Sequence, residues 1–285
     1  RTRKCHLPGA HSASKLVAVK GATSMLVLHL LATPRSVEDV MPSTSSAALT
    51  DMFALRRHSL VHLWEDQWIE HSGIVQSRLL AKLGRSSRIM ARKTEARRIN
   101  AAMLESFLLE NHLWGSTKAR YRYGLFDKHN QTLVAVASFS PRWKVRRHDG
   151  APRASHELIR YCSRRGESVV GGITKLISAF RRDAAPDEIV TVIDRDWGEG
   201  SGWSSLGFQP LKKLAPVSFY IGPDGRRCHL GAGPNPHRRR LPDALAAHVL
   251  TLEASVEVER FLAEHRYFPV YDAGAERHLL ILTDR

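Results

Sequence analysis

From Ser59 onward, apolar residues recur at spacings that are typical of strands and helices. The segment SLVHLWEDQW, which begins at Ser59, has the apolar density of a buried strand. The next segment has apolar residues at helical spacing, namely Ile74, Val75, Leu79, Leu80 and Leu83. Gly84 follows the last of these, where a glycine commonly ends a helix. The pattern therefore predicts a strand and a helix over residues 59–85.

Between Arg88 and Ile221 the two spacings alternate along the chain. The predicted elements are, in order, a strand at 88–93, a helix at 95–111, a hairpin about 128–130, a strand at 157–162, a helix at 172–182, a strand at 188–194, a helical corner at 203–206 and strands at 208–211 and 217–221. This succession predicts an α+β fold. Residues 223–285 are basic and rich in turn residues, with helical spacing over 243–265, which predicts a small α/β extension.

The first 58 residues have a different composition. Their first acidic residue is Glu38, and a segment rich in Ser, Thr and Pro follows it. We expect a leader and linker with little order, resembling either an organelle transit peptide or the core of a signal peptide. The sequence begins without methionine, so we expect a fragment. The predicted domains are thus 1–58, 59–85, 86–222 and 223–285.

Charge is the strongest feature of the composition. There are 43 Lys and Arg against 28 Asp and Glu, a formal charge of +15, and a sequence pI near 10.2. Such an excess favours a polyanionic partner, above all nucleic acid, although a generally basic protein would share it. The candidate contacts, with Trp143 and Tyr161 interleaved as possible stacking groups, are Arg142, Lys144, Arg146, Arg147, Arg160, Arg164 and Arg165. Arg153 and the run Arg238, Arg239 and Arg240 extend the set, and a solvated face is the alternative interpretation.

Metal chemistry and membrane insertion receive little support. The three cysteines form no CxxC pair, and Cys228, His229 and His237 are too few for a closed zinc site. This cysteine usage favours an intracellular compartment. Glu65 and Asp66 could hold a metal, but such a pair more often lies at a solvated edge or a helix start. No run of 18 apolar residues is present, so we expect no spanning helix.

Several strings of residues resemble known families. Residues 59–85 are similar to the last strand and helix of Vsr-like nuclease domains, but the acidic residues upstream are too few for a nuclease centre, so nuclease activity is not expected. Trp203–Phe208, WSSLGF, resembles a corner of GNAT-type N-acetyltransferases, and the order of elements over 86–222 is that of their fold. This resemblance implies a central mixed sheet flanked by helices. A closer resemblance is to GNAT-like domains of phage homing-endonuclease-like and Mom-like DNA-modification proteins. It rests on Ala91–Lys93, Glu110–His112, Glu157–Arg160, Val170–Gly172 with Lys175–Leu176, and Asp194–Arg195 with Trp197.

The GNAT resemblance implies acetyl-CoA or another acyl-CoA as cofactor, with its pyrophosphate at the turn that enters a helix. The residues at that turn are Val170, Gly171, Gly172, Thr174 and Lys175. Ser168 and Ile173 depart from the family's pattern. The alternative is that the two glycines only allow the helix and strand to approach closely.

The GNAT resemblance also implies catalytic residues, and this sequence departs from the family's pattern at one of them. Trp203 stands where the family has the tyrosine that protonates the leaving thiolate, so Tyr220 or Ser205 would have to substitute. The candidates for a base or orienting group are His112, Glu157 and Asp194. His112 could instead cap a helix, and Asp194 could form a salt bridge.

Three functions remain open from the sequence. The leading hypothesis is a GNAT-like protein that acts on or binds nucleic acid, with acyl-CoA-dependent transfer possible. The second is a non-catalytic DNA-binding remnant, and the third is a protein or small-amine acetyltransferase whose basicity is incidental. An open cleft between the strands at 157–162 and 188–194 would favour an enzyme.

Overall fold

The computed structural model describes residues 2–5, 14–21, 25–56, 58–147, 150–198, 200–230 and 239–282. The strands are β1 (Thr2–Cys5), β2 (Ser14–Lys20), β3 (Met25–Leu31), β4 (Ser59–Trp64), β5 (Ser87–Met90), β6 (Thr94–Arg98), β7 (Tyr121–Asp127), β8 (Leu133–Phe139), β9 (Trp143–Arg146), β10 (Pro152–Ser163), β11 (Glu167–Val170), β12 (Glu188–Asp194), β13 (Gln209–Leu214), β14 (Ser218–Ile221), β15 (Arg227–Cys228), β16 (Phe268–Tyr271) and β17 (Ala275–Ile281). The α-helices are α1 (Ser45–Leu55), α2 (Glu65–Lys82), α3 (Ala101–Asn111), α4 (Gly172–Ala184), α5 (Ser201–Ser204), α6 (Asp243–Val249) and α7 (Ser255–Glu264). The predicted α+β class is confirmed.

The chain folds as two compact units, each made of segments that are distant in sequence. Unit 1 comprises Arg1–Ser72, Asp194–Glu199 and Leu214–Ala275. Unit 2 comprises Gly73–Ile193, Gly200–Lys213 and Glu276–Arg285. The four consecutive domains expected from the sequence therefore differ from the units of the structure. Composition changes along a chain cannot reveal that one unit is inserted within another.

Unit 1 contains a sheet in the segment that was expected to be a leader and linker. Its strand order is β1-β2-β3-β4, antiparallel except for the parallel pair of β3 and β4. Leu16, Val27 and Leu60 form its buried cluster, against which Leu49 and Phe53 of α1 pack. β3 is thus a core strand rather than part of a leader, because α1 covers it.

A second, three-stranded sheet of unit 1 has the order β15-β14-β16. It packs with α6 and α7 through a cluster that includes Tyr220, Leu241 and Leu262. The single predicted helix over 243–265 is therefore two helices. The predicted strand at 217–221 is also present, but as β14 it pairs with β15 and β16.

Unit 2 is built on a large mixed sheet with the path β13-β17-β12-β10-β8-β7-β6, and β9 pairs with the beginning of β10. The strand that lies between β12 and β13 is β17, whereas the sequence assigned the last strand of this sheet to 217–221. Local pattern identifies a strand but not its partner, because pairing is decided by contacts distant in sequence.

Helices α3 and α4 cover opposite faces of this sheet. Ala135 and Ala137 of β8 belong to the cluster of α4, whereas Val136 between them packs with α3. Successive side chains of a strand point to opposite faces, so the two clusters lie on the two sides. The helix predicted at 95–111 begins at Ala101, because residues 94–98 form β6 and Asn100 caps the helix by accepting the Met103 N–H at 2.8 Å.

Candidate functional site

Strands β10 and β12 diverge at the centre of the unit 2 sheet. They pair in parallel from Ser155 opposite Glu188 to Leu158 opposite Thr191. The Thr191 hydroxyl donates to the Leu158 carbonyl at 3.1 Å, and beyond it β10 continues to Ser163 while β12 continues to Asp194. The pairing of β10 with β8 shifts register between Leu158 and Arg160. The sheet therefore separates within the stretch where the sequence places the cleft.

Glu157 lies beside this separation. Its N–H donates to the Ser140 hydroxyl at 2.8 Å, and its carbonyl accepts from the Ser140 N–H at 2.9 Å. The side chain is half-buried, and burial raises the pKa of its carboxyl, while the charges of Arg277 and Arg160 oppose that rise. A carboxylate with a raised pKa is a stronger proton acceptor. Of the predicted catalytic residues, Glu157 has the surroundings that suit a base.

His112 is the C-cap residue of α3, as its alternative interpretation held. Its N–H donates to the Leu108 carbonyl at 2.9 Å, and its Nδ1 accepts from the Trp114 N–H at 3.1 Å. That contact assigns the ring proton to Nε2. Burial, and then the charges of Arg160 and Arg78, lower its pKa well below the ordinary range. Arg160 thus influences both His112 and Glu157.

Asp194 has a structural contact. Its Oδ1 accepts from the Asp196 N–H at 2.9 Å and so caps the short 3-10 helix Arg195–Trp197. Asp194 is also grouped with unit 1, although the rest of β12 belongs to unit 2. The carboxylate therefore supports the turn at the end of β12 rather than the centre of the sheet.

Tyr220 does not join the sheet that carries Glu157. It is a buried residue of β14 in unit 1, its carbonyl accepts from the Cys228 thiol at 3.2 Å, and burial raises its pKa. That Tyr220 replaces the missing tyrosine stays a prediction, which the pairing of its strand with β15 and β16 does not support. Trp203 packs edge-on against Phe208 with ring centroids 5.3 Å apart, which is a core contact.

The two glycines at the start of α4 are explained by backbone geometry. Gly171 is the N-cap residue with φ of 76°, a conformation that favours glycine. A Cβ added to Gly172 would lie 3.0 Å from both the Tyr161 hydroxyl and Val169. The Tyr161 hydroxyl accepts a hydrogen bond from the Ile173 N–H, and burial raises its pKa. One donor of the helix start is thus already engaged, a contact that the sequence did not indicate.

Of the remaining residues of the predicted cofactor turn, two are exposed to solvent and one contacts backbone carbonyls of the protein. Val170 and Thr174 are exposed. Lys175 donates to the carbonyls of Ala91, at 2.9 Å, and of Thr94, and its burial lowers its pKa. Lys175 therefore anchors α4 to the turn before β6 and is not placed as a phosphate ligand.

The predicted nucleic-acid contacts also divide into two groups. Arg147 binds Glu188 through two hydrogen bonds of 3.2 and 2.6 Å, and Arg164 binds Glu167 through two of 3.0 and 2.5 Å. Arg160 donates to the Ile159 carbonyl at 2.8 Å and is within 3.4 Å of the Gly115 carbonyl. The exposed members are Arg142, Lys144, Arg146 and Arg165. Arg239 pairs with Asp224, and Arg238 lies outside the described residues.

Acidic residues that could have held a metal are engaged with protein groups. Glu65 accepts from the N–H and hydroxyl of Thr33 at 3.0 and 2.8 Å, and these contacts lower its pKa. Asp66 is paired with Arg227 at 2.8 Å. Within the described ranges, no group of three or more His, Cys, Asp or Glu side chains is arranged to bind a metal. His237, the third member of the Cys228 and His229 set, lies outside those ranges.

Comparisons with known proteins leave the functional assignment to the site itself. No protein-family model matches the chain, and no curated protein matches it significantly. In the part of the chain that the structure describes, no helix combines the length and apolar character needed to cross a membrane.

Proposed function

We propose that unit 2 is a GNAT-like acyltransferase domain in which an acyl-CoA lies where β10 and β12 diverge and Glu157 acts as the base. The observation that carries this proposal is the separation of the parallel strands beside a half-buried carboxyl whose pKa is raised. Unpaired strand edges offer backbone N–H and carbonyl groups to a ligand that enters between them.

The order of elements supports the same proposal. From β6, unit 2 contains a strand, a helix, three strands of the main sheet, a helix, a strand, a short helix and two further strands of that sheet. This is the order that the resemblance to GNAT-type acyltransferases implies, with a long insertion before the last strand. β9 and β11 are additional short strands.

The start of α4 fits a phosphate group in part. A helix start offers N–H donors and a positive partial charge, and Gly171 sets the chain direction there. Tyr161 occupies the Ile173 N–H and Lys175 is turned to internal carbonyls, so this site supplies no lysine to the pyrophosphate. We therefore expect weaker cofactor binding than a full phosphate cradle would provide.

When bound, the acyl-CoA supplies an activated thioester carbonyl. Attack by an amine nitrogen forms the amide bond and breaks the carbon–sulfur bond, and the CoA sulfur leaves as a thiolate. Glu157 accepts the proton that the amine loses, which requires its carboxylate form. Because its pKa is raised, activity is expected to increase with pH through that raised pKa.

The test is thermal unfolding of the full chain with acetyl-CoA. A ligand at one hundred times its Kd stabilises the folded state by about 2.7 kcal/mol, so the midpoint temperature should rise. Glu157→Gln should retain that rise and lose about 10²- to 10⁴-fold in acyl transfer to amines. A midpoint that stays constant at millimolar acetyl-CoA would overturn the cofactor proposal.

Nucleic-acid binding is the second candidate function, and the exposed cations Arg142, Lys144 and Arg146 favour it. It is compatible with either an enzyme that modifies nucleic acid or a non-catalytic remnant. If acetyl-CoA binds and nucleic acid does not, the third hypothesis, an acetyltransferase for proteins or small amines, is favoured. Titration with labelled DNA and RNA over a range of salt concentrations distinguishes these outcomes.

A further inference from the structure

A two-stranded antiparallel ribbon extends the unit 2 sheet beyond the point where β10 and β8 pair. It consists of Trp143–Arg146 and Pro152–Ser155, with Lys144 opposite Ala154 and Arg146 opposite Pro152. We refer to these two segments as the ribbon. Alternation along β9 places Lys144 and Arg146 on one side of it.

Three cations line this side of the ribbon. Arg142 precedes β9 by one residue, which is the next position of the same alternation. Burial lowers the pKa of His156, two residues after Ala154, and the charge of Arg142 adds to that lowering, which fits this placement. We call Arg142, Lys144 and Arg146 the cation face. All three side chains are exposed, and the residues opposite them include the small Ala154 and Pro152. The cation face is therefore open to a large partner.

The two sides of the ribbon differ in their counter-charges. On the other side, Arg147 is held by Glu188, whose side chain is 0% exposed. Among the described residues, no carboxylate forms an ion pair with any member of the cation face. Three neighbouring positive charges that have no ion-pair partner in the described part of the chain form a surface suited to a polyanion.

The spacing of the cation face fits a phosphate backbone. Alternate residues of an antiparallel strand are about 6.8 Å apart. Each strand of B-form DNA presents one phosphate for about every 3.4 Å along the axis. Because the strand also winds around the axis, neighbouring phosphates are farther apart in space than this rise, and successive cations can follow successive phosphates. Two paired strands are about 4.8 Å apart, and a major groove about 12 Å wide admits a two-stranded ribbon.

We propose that the ribbon is a contact element for duplex DNA, with the cation face against the phosphates of one strand. This inference deepens the nucleic-acid binding proposed above and rests on it. Trp143 is on the opposite side from the cations, whereas single-strand binding combines stacking and phosphate contacts in one groove. The deep, narrow major groove of A-form RNA does not admit such a ribbon.

The test measures binding of the full chain to a labelled duplex of about 20 base pairs between about 50 and 200 mM salt. Three phosphate contacts correspond to a slope of about −2.7 in log K against log salt. The variant Arg142→Gln, Lys144→Gln, Arg146→Gln should lose that part of the slope. The wild-type affinity should consequently fall about 40-fold more than that of the variant across this range.

A matched control removes three exposed charges elsewhere in unit 2, with Arg181→Gln, Arg182→Gln and Lys212→Gln. It should keep the wild-type slope, and circular dichroism should show both variants folded.

Equal slopes for the ribbon variant and the wild type would overturn the ribbon inference while leaving nucleic-acid binding intact. A wild-type chain that binds no nucleic acid at low salt would remove both. If the chain binds a single strand more tightly than the duplex, and Trp143→Ala abolishes that binding, the partner of the ribbon is single-stranded nucleic acid and not duplex DNA.

Discussion

At the scale of single residues, two buried histidines of unit 1 form a defined hydrogen-bond chain. His29 Nδ1 and His62 Nδ1 are 2.8 Å apart, and His62 Nε2 is 2.8 Å from the Thr50 hydroxyl. That hydroxyl donates to the Ser46 carbonyl at 3.0 Å, so it accepts from His62 Nε2–H. His62 Nδ1 is then an acceptor, and His29 Nδ1–H donates to it. The chain requires His62 to be neutral, because a proton on its Nδ1 would remove the acceptor, whereas the cost of a protonated His29 is that of burying its charge.

Acid is therefore expected to destabilise this unit. Burial lowers the pKa of His29 from 6.5 to about 4 and also lowers that of His62 well below its ordinary value. The unfolded chain binds more protons between these values, so the stabilisation is complete above about pH 6.5 and is lost as pH falls toward 4, by roughly 3 kcal/mol for His29 alone. Urea unfolding at a series of pH values measures this.

Two variants make the pH prediction specific. His29→Asn retains an N–H donor and should lose part of the acid dependence above pH 4. His129 is exposed, so His129→Gln should leave the dependence unchanged. An unchanged acid dependence in His29→Asn would show that this pair is not its source.

The start of α4 gives a second prediction at the same scale. Gly171→Ala forces an alanine to φ of 76° and should lower the free energy of unfolding by about 1 kcal/mol, although the space at its Cβ is sufficient. Gly202 in α5 has open space and no positive φ, so Gly202→Ala should be neutral or slightly stabilising. Chemical denaturation of both variants is the measurement, and equal effects would contradict the backbone explanation.

The sequence shows which residues are charged, but it does not show which groups those residues contact in the folded chain. Arg147, Arg164 and Lys175 were predicted as ligands of anions because their charge was visible in the sequence. The Glu188 carboxylate and the carbonyl of Ala91, which engage two of them, are distant in sequence, so no local pattern could indicate these contacts. Tyr161 was expected to stack on bases, whereas its hydroxyl meets the start of α4.

At the scale of elements, the ion pair of Arg147 and Glu188 joins the turn end of the ribbon to β12. Glu188 is fully buried and Arg147 is 30% exposed, whereas in the pair of Arg164 and Glu167 the two side chains are 41% and 17% exposed. Glu188→Gln should thus lower the free energy of unfolding by roughly 2–3 kcal/mol, because it leaves a partly buried guanidinium without its counter-charge. Glu167→Gln should lower it by less than about 1 kcal/mol. The denaturant midpoints of the two variants measure this difference. A larger loss of stability in Glu167→Gln than in Glu188→Gln would contradict the prediction.

Elements with a strong local pattern were predictable. The helix at 172–182, the strand at 188–194 and the hairpin about 128–130 are confirmed as α4, β12 and the pair of β7 and β8. The sheet strands β2 and β3 were missed because turn-forming and basic residues surround them. β14 was assigned to the wrong sheet, since its apolar run looks the same whichever strand it pairs with.

At the scale of the whole molecule, the segment between β13 and β17, residues 215–274, is an insertion that unit 2 should not need in order to fold. A Cβ added to Gly274 would lie 2.5 Å from the Leu214 carbonyl, so the two ends of the insertion are adjacent. A chain of residues 73–214 joined by a short turn to 275–285 keeps every strand of the large sheet and its buried clusters. A unit with its own core folds alone, so cooperative urea unfolding is expected. Omitting 275–285 as well removes β17 from between β12 and β13 and should abolish that cooperativity. If both shortened chains unfold alike, β17 does not complete the sheet as the structure shows.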